Sequence, residues 1–129
     1  MQALAYKAYG EISQRTAGNK AIEFALFQQI TDALASVADP RNRDLSAWGD
    51  ALHRNQQLWT IIATDLLLPG NGLPDDLKRS LLFLSEYVRQ LSLRILAGEE
   101  SIPDLIDVNK TVMAGLVRES FYSLEEEGV

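Results

Sequence analysis

The stretch DLSAWGDALHRNQQLWTIIATDLLLPGNGLPDDL, residues 44–77, decides the fold. Within it Leu45, Trp48, Leu52, Asn55, Trp59, Ile62 and Leu66 recur at alternating spacings of three and four, which keeps one stripe of a helix turned toward a partner. Every member except Asn55 is apolar, so an amide falls in the middle of a face expected to be dry. The run ends at Leu68-Pro69-Gly70-Asn71-Gly72-Leu73-Pro74, where two prolines bracket two glycines and neither helix can continue. A helix–turn–helix hairpin follows. Pro74 suits the first position of the next helix, which leaves Leu73 as a cap without a side-chain acceptor. Asp76 is one local acceptor for the free amides there. Asp65 is the other: an acid in the last turn faces the negative end of its own helix dipole, which costs roughly 0.3–1 kcal/mol unless a donor reaches it. Asp65 is therefore expected to reach across the turn to amides near Asn71 or at the start of the following helix.

Upstream, residues 19–38 read as a helix closed by Asp39-Pro40, because the residue before a proline is pushed out of the helical region. Ile22, Leu26, Ile30, Ala33 and Val37 make its stripe, and Leu34, Phe27 and Phe24 carry apolar surface well round the cylinder. Either this helix is buried between two others, or Phe24 and Phe27 await a partner. Residues 1–17 form a leader in which Tyr6, Tyr9 and Ile12 make a short helical face, weakened by Gly10 and Gly18. Downstream, the helix expected over residues 74–97 carries Leu77, Leu81, Leu84, Val88, Leu91 and Ile95 and is ended by Gly98. Leu82 and Leu93 lie off that stripe, one above the other, on a face otherwise made of Lys78, Glu86 and Arg89. They are either covered by the last helix or left for a partner. That last helix, residues 103–124, opens at Pro103-Asp104 and carries Leu105, Val108, Val112 and Leu116, with Asn109 as a second amide on an apolar face. Asn55 and Asn109 either form a buried amide pair or bond loop backbone, a nearby carbonyl or water. Past Leu116 the acids crowd the negative end of the helix, and this tail is expected to fray. The fold class is all-α: a small bundle of three to four main helices in one domain, residues 1–129.

Composition removes several classes of function. There is no cysteine and only one histidine, His53, so thiolate and multi-histidine metal sites are excluded and no cofactor is implied. His53 and Asp65 would stand about 18 Å apart along one helix, too far to act together as acid and base. The amino terminus lacks the charged lead and apolar run of a secretory signal, and no stretch approaches the ~18 apolar residues of a membrane span. The expected location is cytoplasmic. The net charge of −6 lies entirely in residues 99–129, which hold eight acids and two bases, while residues 1–98 hold ten of each sign. No dense basic cluster offers a face for a phosphate backbone, so no direct nucleic-acid partner is expected.

The residues Leu52, Asn55, Leu58-Trp59, Asp65-Leu66, Pro69, Asn71, Leu73-Pro74 and Leu77, then Ile95-Leu96-Ala97-Gly98, Leu105-Ile106-Asp107-Val108-Asn109 and Met113-Ala114-Gly115-Leu116, resemble the FlaF family of flagellar proteins. The resemblance runs from about Tyr6 to Leu116; only the tail through Phe121 departs. It implies a cytoplasmic, non-enzymatic helper of flagellin biogenesis, one that binds flagellin before export through the flagellar secretion apparatus and works with FlbT, a regulator tied to flagellin mRNA. Surplus apolar surface at Phe24, Phe27, Leu82 and Leu93 would suit capture of an amphipathic helix in a groove. A regulator acting on flagellin translation through RNA is the alternative reading, and a weak homo-oligomer covering Phe24 and Leu82 is compatible with the same surface.

Overall fold

A computed structural model describes the backbone over residues 17–127 and the side chains over residues 24–115. The expected face of Tyr6, Tyr9 and Ile12, and the side chains of Ile22, Leu116, Phe121 and Leu124, lie outside the described residues. The described residues form four helices: α1, Ala17–Ala38; α2, Leu45–Leu67; α3, Asp75–Leu96; and α4, Pro103–Glu127. Among the described residues there is no strand, and the fold is a small all-α bundle. Short connections reverse the chain between successive helices. α1 packs against α2 and α4, and α2 against α3; a thinner seam between α3 and α4 closes the ring, while helices on the diagonals do not approach at the backbone.

Each boundary has a local cause. Asp44, in extended conformation, caps α2 by accepting from the Ala47 amide at 3.0 Å. The Asn42 amide donates to the Ser36 carbonyl at 3.1 Å, tying off the end of α1. Gly98, at φ 79°, is the one described residue in the left-handed region, and there the Gly98 and Glu99 amides donate to the carbonyls of Ile95 and Arg94. Pro74 stands one place earlier than its expected position: it is the N-cap of α3, with ψ 146°, and Asp75 begins the helix. Its ring permits both placements, since neither position requires an amide proton. α4 runs three residues beyond Leu124, through Glu127. Glutamate is a good helix former, and the charge penalty there is at most about 1 kcal/mol.

The core gathers Phe27, Ile30 and Leu34 from α1, Leu52, Leu58, Trp59, Ile62 and Leu66 from α2, Val88, Leu91 and Ile95 from α3, and Leu105 and Met113 from α4. Leu45 and Leu77 leave the stripes assigned to them because each sits in the first turn of its helix, at an end of the bundle, and both are exposed.

At the α2–α3 turn, Asp65 is buried and its Oδ2 accepts from the Asn71 side-chain amide at 3.1 Å. Asn71 Oδ1 in turn accepts from the Leu73 amide at 3.1 Å. The expected bridge across the turn is thus made, through the Asn71 side-chain amide, and Asp76 pairs with Arg79 instead of capping α3. Removing the acid strands the half-buried Asn71 side-chain amide and breaks the clasp across the turn, so Asp65→Ala should destabilise the fold by roughly 1–3 kcal/mol. Thermal denaturation followed by circular dichroism checks this, and an unchanged midpoint would show that the clasp does not hold the turn.

Candidate functional site

Two features stand out: a polar junction in the middle of the core, and an apolar surface outside it. At the junction, α2 supplies Asn55 and Trp59, one helical turn apart on the same face, α4 supplies Asn109, and α1 supplies Thr31 and Phe27. The Trp59 indole N–H donates to Asn109 Oδ1 at 2.9 Å. Asn109 Nδ2 donates to Asn55 Oδ1 at 2.8 Å and to Thr31 Oγ1 at 3.2 Å. Thr31 Oγ1 donates to Met113 Sδ at 3.8 Å. The Phe27 ring meets Trp59 edge to face, centroids 6.0 Å apart. Asn55, Trp59 and Asn109 are fully shielded from solvent.

Of the two open readings for the asparagines, the buried amide pair is the one present. The indole fixes its orientation. Because Trp59 Nε1 only donates, Asn109 must turn its oxygen to the indole and its nitrogen to Asn55, which must then present oxygen. Asn55 Nδ2 is left with no hydrogen-bond partner among the described residues. The junction binds three helices by four hydrogen bonds and offers neither a nucleophile nor a titratable group.

Outside the core, the sequence-assigned surface residues separate. Phe27 is a correction: at 3% exposed it belongs to the core, because α1 is covered by α2 on one side and α4 on the other, and it is not available to a partner. Phe24 and Leu82 are half-buried and pack against the core cluster. Leu93, by contrast, is 54% exposed. Of the family-pattern residues, Leu52, Asn55, Trp59, Asp65 and Asn109 are buried, Asn71 and Leu73 half-buried, and Pro69, Pro74 and Leu77 exposed. His53 is exposed too.

The surface reading by sequence missed Phe83, 73% exposed, Leu96, 58% exposed, and Tyr87, all on α3. Phe83 and Tyr87 stand one turn apart off the core stripe, a spacing legible in the sequence. Between the apolar groups run charged pairs: the Glu86 carboxylate accepts from Arg89 at 2.6 and 2.9 Å and from Gln90 at 3.1 Å. Those donors, Arg89 first and then Gln90, lower the Glu86 pKa from 4.5 to about 2. A depressed carboxyl adds stability above its ordinary pKa and loses it as pH falls through about 2, so this pair persists at neutral pH. Being on the surface, it contributes little to the fold. Among the described residues no group of three His, Cys, Asp or Glu is placed to hold a metal ion, and no helix is long and apolar enough to cross a membrane.

The hydrogen bonds rank the two asparagines. Asn109→Leu strands the indole N–H and Asn55 Oδ1 and takes one partner from the Thr31 hydroxyl, whereas Asn55→Leu strands one N–H of Asn109 and removes an amide nitrogen that is itself unpaired among the described residues. Asn109→Leu should therefore cost more, by about 1–3 kcal/mol. Urea unfolding of both variants measures the order, and equal losses would refute it.

No curated protein matches the chain, and no solved structure matches it. A family model does: that of the flagellar protein FlaF, over residues 5–116. The match takes in the hairpin, the polar junction and the apolar side of α3 together, and by it the chain belongs to the FlaF family of flagellar proteins.

Proposed function

We propose that this protein is a cytoplasmic, non-enzymatic flagellin-binding chaperone that supports flagellin synthesis and export during flagellum assembly. The observation that carries the reading is the apolar surface of α3, where Phe83, Leu93 and Leu96 stand largely in solvent outside a core that is already closed. Several large apolar side chains left in solvent on one helix of a small protein are costly in solubility and mark a face that another polypeptide can cover. The amphipathic helices of an unassembled flagellin have the complementary character: apolar along one stripe and helical by themselves or on contact. Membership of a flagellar family supports flagellin as the partner. Joint action with FlbT is part of the proposal, with FlbT rather than this chain making any contact with mRNA, since no dense basic cluster is present for phosphate.

An apolar interface resists salt, whereas a phosphate contact does not. Binding to purified flagellin should persist from 50 mM to 500 mM salt and fall at least tenfold in Leu93→Glu and in Phe83→Glu, both with wild-type melting curves because neither position is buried. Isothermal titration or a pull-down at both salt concentrations checks this. Unaltered flagellin binding by both variants would remove α3 from the interface, and salt-sensitive retention of labelled RNA would favour direct regulation of translation instead.

A further inference from the structure

The helices are not held equally. α2 buries side chains from Ala51 to Leu66, nearly its whole length, and α1, α2 and α4 are joined by the hydrogen bonds of the amide junction. α3 takes no part in that junction, does not approach α1 at the backbone, and meets α4 only along the thin seam. Its buried residues are Val88, Leu91, Ser92 and Ile95, all in its second half. Over Asp75–Tyr87 no side chain is fully buried: Leu81, Leu82 and Leu84 are half-covered, and Leu77, Phe83 and Tyr87 are exposed. The start of α3 also has no side-chain cap. Its ion pairs, Asp76 with Arg79 and Glu86 with Arg89, lie within the helix and fasten it to nothing else.

Beneath this half of α3 lies the flank of α2 turned away from α1. Trp59 marks the α1 side through its contact with Phe27, and Leu58 and Asp65 stand on another flank of α2, Leu58 within the core cluster that also takes in Val88 and Leu91 of α3. The chain reverses at residues 68–74, which sets Asp75–Tyr87 alongside that flank. Regions with few buried apolar groups open locally at lower free energy than the core does.

We propose that the first half of α3 is a lid: residues 75–87 detach while the three-helix unit and the second half of α3 stay folded, and the opening uncovers the flank of α2 around Leu58. Resting on the flagellin-binding reading for its occupant, the exposed flank is where an amphipathic flagellin helix takes the place of the lid, pairing with α2 as α3 does in the closed form. The exposed Phe83 and Leu93 make the client's first contact, and its helix then gains on α2 a deeper apolar surface than the outer face of α3 presents.

Native-state hydrogen exchange on the full chain without flagellin tests the lid by itself. Amides 79–87 should exchange at least tenfold faster than amides 89–95 of the same helix, and Leu84→Ala should speed only the former. Uniform protection along α3, or a variant that accelerates all four helices alike, would show that α3 opens only with global unfolding and would overturn the lid while leaving flagellin binding intact. With flagellin added at saturation, exchange at 79–87 should rise and that at 55–66 should fall. Binding without that reciprocal change would place the client on the outer face of a closed α3 and overturn the replacement step. Loss of all flagellin binding would defeat the chaperone reading and, with it, the assignment of flagellin as occupant.

Discussion

The bundle turns on one asymmetry of chemistry: an indole nitrogen gives a proton and cannot accept one. Buried at Trp59, that single donor dictates which end of the Asn109 amide faces it, and Asn109 dictates the orientation of Asn55 and engages the Thr31 hydroxyl. Three helices are thereby placed in register by groups that tolerate no sliding. A helix shifted by a single residue would bring apolar side chains against these amides and leave each of them unpaired in a dry interior. Apolar packing supplies the drive to collapse but is permissive about which leucine meets which; the amides are not. The unpaired Asn55 nitrogen is the cost of this arrangement, a stability penalty of the kind that accompanies polar groups retained for specificity.

The register lock is confined to α1, α2 and α4, and this divides the molecule into two kinds of surface. Where hydrogen bonds cross between helices, the interior is closed and Phe27 disappears into it. Where they do not, α3 lies against α2 by apolar contact and carries both half-buried leucines and exposed aromatic groups. One part of the molecule is thus fixed by hydrogen bonds and another held by apolar contact. The distribution of polar and apolar contacts assigns those parts to different helices.

Much of the fold was legible because the relevant physics is local. Threefold and fourfold spacing marked the helices, and the paired prolines and glycines of residues 68–74 marked the turn. The two asparagines announced themselves as polar groups on apolar stripes. What could not be read was which of several apolar faces would be covered, because that depends on the arrangement of neighbours rather than on the period of any one helix. Phe27 and Leu93 show this plainly: each lies beside a stripe, yet one is enclosed by two neighbours and the other has none over it. Thr31 was passed over although it sits four residues after Phe27 and three before Leu34, the spacing that should have placed its hydroxyl inside. Phe83 and Tyr87 escaped for the converse reason, since attention to stripes discounts the large residues that fall off them.

The two tryptophans occupy different surroundings: Trp59 is sealed in the core with its ring nitrogen bonded, and Trp48 is only half-covered near the start of the same helix. Intrinsic fluorescence therefore carries two separable signals, one from an indole screened from dissolved quenchers and one within their reach. The protein contains its own optical gauge of whether a disturbance has reached the centre of the bundle or has stopped at its margin.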